Sequence, residues 1–166
     1  NRNLPFYQAC IEALRQESIP VVISVGEQTG LSAFRDVPEH IFLRPRVDQL
    51  AVLARASVFV THCGMNSASE GLYFGVPLVL YPQQAEQGLV ARRVEELGAG
   101  LRLRRASPEA IRAAVRQVRE QRSYRSRARE IAAGFRDAGG YRRGADKILE
   151  AAARGGGACA ENPPML

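Results

Sequence analysis

The sequence predicts an α/β domain: a parallel sheet flanked by helices, closed by two or three further helices. Three observations carry this reading. Short runs rich in Val, Ile and Leu recur between residues 19 and 104. Segments with helical spacing of apolar residues alternate with them, the pattern of crossover connections between parallel strands. Beyond residue 106 the strand-like runs stop and only helical stripes remain. The chain has 166 residues and 46% hydrophobic content, enough for one ordinary domain with a substantial core. No internal repeat or linker divides it.

The first helix follows from Phe6, Cys10, Ala13 and Leu14 at helical spacing, with Asn3 and Pro5 suited to its start. IPVVISVG (19–26) is a continuous β-branched run ending in glycine and reads as a buried parallel strand. A loop leads to a second short strand, HIFLR (40–44), a short helix at 48–56 and a third strand, SVFVT (57–61). NSASEGLYFG continues as a helix to Gly75, VPLVLYP (76–82) is a fourth strand, residues 84–98 a helix ended by glycine, and residues 99–104 a short strand. Ser107, Pro108 and Glu109 are a strong helix opening: N-cap, first position and first-turn acid. Ile111, Val115 and Val118 form one stripe, Tyr124, Ala128, Ile131 and Phe135 a second, and Ala145, Ile148, Leu149 and Ala152 a third. Breaks are expected near Ser123 and at Gly139-Gly140, and the tail, residues 154–166, is expected to be disordered.

Composition narrows the function. No apolar run approaches the length that crosses a bilayer, so no membrane partner is expected. No secretory signal opens the chain. The first residue is Asn1, not methionine, which suggests a fragment or a processed product. Cys10, Cys63 and Cys159 show neither metal spacing nor a disulfide framework, and a reducing cytoplasm is the expected compartment. The net charge of +6 is uneven: residues 100–154 hold fifteen Arg and Lys against six Asp and Glu. Arginine-rich helices can bind nucleic acid, but no aromatic or RNA-binding motif accompanies them, so a solvated helical face is expected and no nucleic-acid partner.

The densest chemistry is VTHCGMNSASEG, residues 60–71. Ligands of open parallel sheets gather beyond the C-terminal ends of the strands, and SVFV delivers Thr61 to Glu70 there. Gly64 permits a tight turn and close backbone approach. Asn66 or Ser67 then caps the next helix, whose N-terminal N–H groups and dipole suit a phosphate. His62 adds a donor that assists a departing phosphate, and Glu70 accepts hydrogen bonds from ribose hydroxyls. The residues thus read as a nucleoside diphosphate site without a P-loop. A simple capped turn is the structural alternative.

The run from Phe42 to Leu103 resembles the donor-binding half of the UDP-glycosyltransferase family with the GT-B fold, most of all the bacterial macrolide and flavonoid glycosyltransferases. The matching text is HCGMNSASEGLYFGVPLVLYPQQAEQ, then ARRVEELGAGLRL. The resemblance implies a Rossmann-like sheet, the C-terminal half of a GT-B fold. It implies that His62, as the catalytic residue of this half, and the backbone of Gly64 contact the donor pyrophosphate, with Asn66 and Ser67 at the helix N-terminus. It assigns Glu70 to the ribose, and Glu86 and Gln87 to sugar hydroxyls. Around the base, Gln49 matches the family pattern and Val47 offers backbone hydrogen bonds. Arg46 stands where a stacking aromatic is expected and Asp48 where a proline is; a guanidinium can stack on a base. Cys63 reads as a small packed residue and His40 as an ordinary one.

By the same resemblance, residues 1–153 form a nucleotide-sugar donor-binding domain with UDP-sugar or dTDP-sugar as donor and no cofactor or metal. Family members have roughly double this length. Their N-terminal domain binds the acceptor and carries the general base, and their donor half begins with a strand ahead of the first helix. That strand is expected to be missing here, which leaves an exposed sheet edge. The expected function is donor binding for an inverting transfer to a small-molecule hydroxyl, inactive without the acceptor domain, whether that partner lies in cis or in trans. A separate donor-binding subunit and a non-catalytic remnant are the alternatives. The last helix in this family packs back on the N-terminal domain, so the apolar faces of residues 124–152 are expected to be partly bare.

Overall fold

The computed structural model describes residues 3–155. Helix α1 (Leu4–Leu14) is followed by β1 (Val21–Ser24), a 3-10 turn at Leu31–Ala33 and β2 (Ile41–Arg44). Next come α2 (Gln49–Leu53), β3 (Phe59–Thr61), α3 (Met65–Tyr73), β4 (Leu78–Leu80), α4 (Ala85–Glu96) and β5 (Gly100–Arg102). Three helices close the described residues: α5 (Pro108–Glu120), α6 (Arg122–Asp137) and α7 (Gly140–Gly155). Among the described residues every strand pair is parallel, in the order β1-β2 and β3-β4-β5.

Alternation along β4 explains the layers, because successive side chains of a strand point to opposite faces. Val79 packs on one face with Cys10, Ile11 and Leu14 of α1 and Ile111, Val115 and Val118 of α5. Leu78 and Leu80 pack on the other with Ala68 and Leu72 of α3, Ala91 and Val94 of α4 and Ala128 of α6. All three β4 residues are fully buried. The starts of α1 and α5 follow the capping chemistry of the sequence. The Asn3 side chain accepts from the Phe6 amide at 3.2 Å and Ser107 from the Ala110 amide at 3.3 Å. Gly98, φ +70°, takes the left-handed conformation that ends α4.

The structure departs from the sequence reading in several places. The strands are shorter than their apolar runs. Among the described residues no backbone pairing joins the β1-β2 ladder to the β3-β4-β5 ladder. A shared face holds them together: Val21 and Ile23 of the first ladder and Val60 and Leu101 of the second pack on the same α1-α5 cluster. β1 is not the strand buried on both faces that its composition suggested, for Val22 is 42% exposed, as is its register partner Phe42. The link from β1 to β2 holds only a 3-10 turn, so no crossover helix covers that face. The helix breaks fall where expected: near Ser123, at Gln121, and at Gly139 and Gly140, which both adopt positive φ. The third stripe is bare among the described residues, as expected: Ile148 and Leu149 of α7 are 70% and 68% exposed, and Tyr141 of the same helix 82%. Residues 154 and 155 close α7, and the rest of the expected tail, with Cys159, lies outside the described residues.

One ion-pair cluster ties the end of α1 to α5. The buried Glu17 carboxylate accepts from Arg116 Nε at 2.7 Å and from Arg119 at 3.3 Å. The hydrogen bond from Arg116, against an opposing cost of burial, holds its carboxyl below the ordinary range. A depressed native pKa contributes stability above the unfolded value and loses it as pH falls through the native one. Glu17→Gln is therefore expected to cost about 1–2 kcal/mol at neutral pH, since Arg116 is half exposed and screened. That difference should shrink in acid, below the ordinary carboxylate range, as read by urea unfolding across pH.

Candidate functional site

The turn after β3 begins with Thr61, whose backbone oxygen accepts from the Tyr81 amide at 2.8 Å and fixes it beside the end of β4. The Thr61 hydroxyl accepts from the Cys63 amide at 3.2 Å. Cys63 adopts φ +69°, and with this left-handed residue the chain reverses into α3. Gly64 is the N-cap of α3, and no side chain caps that helix. Asn66 and Ser67 accordingly do not cap it, contrary to the sequence reading, but occupy its second and third positions. The amides of a first helical turn have no intrahelical partner, and here none is taken by a capping side chain. His62 folds over the turn: a Cβ on Gly64 would lie 2.9 Å from its Nε2. The glycine is required by this approach, because its own φ of −59° suits any residue.

Gln49, at the start of α2, reaches across to α3. Its amide donates to the Glu70 carboxylate at 2.5 Å and to the Ser67 hydroxyl at 3.4 Å. Three of the residues named from sequence thus form one half-buried polar cluster beside the uncapped helix end. Asp48 serves this arrangement differently from a proline. Its carboxylate accepts from the Ala51 amide at 3.0 Å and caps α2, setting the angle at which Gln49 enters. Its neighbour Val47 is half-buried.

The loop after β4 lies at the same edge, one strand spacing away. Glu86 is exposed in the first turn of α4, while Gln87 is buried and its carbonyl accepts from the Gln83 amide at 2.8 Å. One end of Gln87 therefore shapes the Pro82–Gln84 loop, and its amide NH₂ remains for a ligand. Arg46 is 82% exposed and faces Glu27 at 3.5 Å. His40 donates from Nε2 to the Leu14 carbonyl at 3.0 Å, a structural role. Cys63 is fully buried, and desolvation pushes its thiol up to about 11, so it is an inert packed group as expected.

Such a site can bind a dianion through free amides, His62 and Ser67, and adjacent vicinal hydroxyls through Glu70. Among the described residues no group of three or more His, Cys, Asp and Glu side chains is placed to hold a metal ion, and no helix is long and apolar enough to cross a membrane. Sequence reasoning missed the Thr61 and Gln83 contacts and the Asp48 cap. Only the last had a signal, an Asp directly before a helical pattern.

The family model "Erythromycin biosynthesis protein CIII-like, C-terminal domain" matches residues 9–138. An uncharacterized UDP-glucosyltransferase of Bacillus subtilis is 42% identical over 153 residues, 91% of this chain and 38% of its own length. An NDP-glycosyltransferase of Bacillus licheniformis is 42% identical over 145 residues, 86% of this chain and 37% of its own length. The crystal structure of the glycotransferase of kitacinnamycin superposes with a TM-score of 0.84 at 34% identity, covering 89% of this chain and 39% of that one. The chain thus spans about two-fifths of the length of the relatives it matches.

Proposed function

The chain belongs to the C-terminal domain family of glycosyltransferases typified by erythromycin biosynthesis protein CIII, and from that premise we propose that it binds the nucleoside diphosphate sugar for an inverting transfer to a small-molecule hydroxyl. The carrying observation is the uncapped α3 N-terminus under His62, set beside the Gln49-Ser67-Glu70 cluster. The names of the Bacillus relatives, a UDP-glucosyltransferase and an NDP-glycosyltransferase, support the same donor class.

On this reading the diphosphate sits against the amides of Gly64, Asn66 and Ser67 and against His62, the ribose against Glu70, and the sugar against Glu86 and the Gln87 NH₂. Val47 offers backbone groups to the base, and exposed Arg46 is free to swing from Glu27 onto it. The acceptor oxygen attacks the anomeric carbon as the bond to the diphosphate oxygen breaks, and its electron pair leaves with the diphosphate. His62 and the helix amides stabilise that developing charge. The base that removes the acceptor proton comes from an acceptor-binding domain, in cis or in trans, and the chain alone does not turn over. Two features support such a partner. Among the described residues the apolar stripe of α7 is bare. The orders β2-β1 and β3-β4-β5 fit positions 3-2 and 4-5-6 of a doubly wound sheet, and the position between them suits a strand preceding α1.

Thermal shift tests the reading, because a ligand bound only by the folded state raises the melting temperature. UDP is expected to stabilise the wild type saturably. Glu70→Ala is expected to bind about tenfold more weakly, the loss of hydrogen bonds to a charged group, and to lose preference for UDP over 2′-deoxy-UDP. A folded wild type unmoved by millimolar UDP and dTDP would refute the donor role.

A further inference from the structure

We propose that Thr61 is a positioning residue for the diphosphate, acting through the backbone of Cys63; the inference rests on the donor-site reading above. Thr61 ends β3 with 5% of its surface exposed, and its hydroxyl is spent on the Cys63 amide at 3.2 Å. The Cys63 thiol returns a contact to the Thr61 carbonyl at 3.5 Å. Between them these contacts enclose a non-glycine residue at φ +69°. Left-handed backbone at a residue bearing a side chain persists only where its surroundings over-determine it. Glycine would take this conformation freely, but the Cys63 side chain is fully buried in the cluster formed by α3, α4 and β4. The side chain anchors the turn from below, and the Thr61 hydroxyl fixes its backbone from the strand side. Together they set the reversal that places Gly64 beneath His62 and points the first amides of α3 off the sheet edge.

Thr61→Val keeps the β-branched shape and removes the acceptor, leaving the Cys63 N–H buried without a partner. Thr61→Ser keeps the hydroxyl. Calorimetric titration with UDP, inorganic pyrophosphate and uridine, and hydrogen exchange at the Cys63 amide, read the two variants. For Thr61→Val the expected results are about tenfold weaker binding of UDP and of pyrophosphate, unchanged uridine binding and faster exchange at Cys63. Thr61→Ser should stay near wild type. Adding Cys63→Gly to Thr61→Val should weaken UDP and pyrophosphate binding further, because it removes the buried anchor and glycine populates negative φ as readily as positive φ. Wild-type UDP affinity in Thr61→Val, an equal loss for uridine, or unchanged exchange at the Cys63 amide overturns the inference while the donor reading stands. A folded wild type that binds neither UDP nor pyrophosphate removes both.

Discussion

Gly64→Ala is expected to weaken UDP binding by roughly one to two orders of magnitude, the scale of a lost charged hydrogen bond, while the chain stays folded. The backbone at Gly64, φ −59° and ψ 139°, is open to alanine, so the substitution carries no conformational strain. Its effect is steric and local. The new Cβ would sit 2.9 Å from His62 Nε2, closer than real contacts allow. The flexible end of the imidazole yields, and His62 leaves the position from which it faces the diphosphate. A double-mutant cycle isolates this cause. With His62→Ala in place there is no ring to displace, and Gly64→Ala should then cost little further affinity. Independent losses from the two changes would show that Gly64 acts through something other than His62.

Leu78→Ala carries the largest expected effect on stability, about 3–5 kcal/mol, or a fall of roughly 10 °C in melting temperature. Leu78 is fully buried on the central strand of its ladder, in the cluster shared with α3, α4 and α6. Two glycines make room for it. A Cβ on Gly71 of α3 would meet Leu78 Cδ2 at 2.8 Å, and one on Gly100 of β5 would meet the Leu78 carbonyl at 2.8 Å. The helix and the neighbouring strand thus approach β4 as closely as glycine permits, and truncation leaves a cavity that neither can close. Gly71→Ala alone overpacks and should cost about 1–3 kcal/mol. In the Leu78→Ala background the same methyl enters the cavity, so its cost should vanish or change sign. Urea unfolding of the four proteins measures that coupling.

Much of this was legible in the sequence because its signals are local. The run SVFV, then His62, Gly64 and Glu70, fixes a strand, a turn and a helix in an order that leads to a sheet edge. Asn3 and Ser107 announce their helices by capping chemistry that needs no tertiary context. What escaped depends on partners distant in sequence. Whether Val22 is buried is decided by the missing crossover helix between β1 and β2, not by its β-branched neighbours. The start of α3 at Met65 follows from the Cys63 reversal, and no propensity marks a cysteine for left-handed backbone. Gln87 reads as a sugar contact, and nothing in the sequence shows that it is buried with its carbonyl accepting from the Gln83 amide. The bare stripe of Ile148 and Leu149 is the expected exception: its spacing is like that of the packed α5 stripe, and only the family resemblance singled it out.

The central claim is that the turn from Thr61 to Ser67 holds a nucleoside diphosphate. Its most direct test is calorimetric titration of the chain with UDP and dTDP, with His62→Ala as the comparison. Saturable binding of one-to-one stoichiometry, weakened by roughly an order of magnitude or more in His62→Ala, is the predicted result. Absence of binding by the folded chain, or equal affinity in His62→Ala, would contradict it.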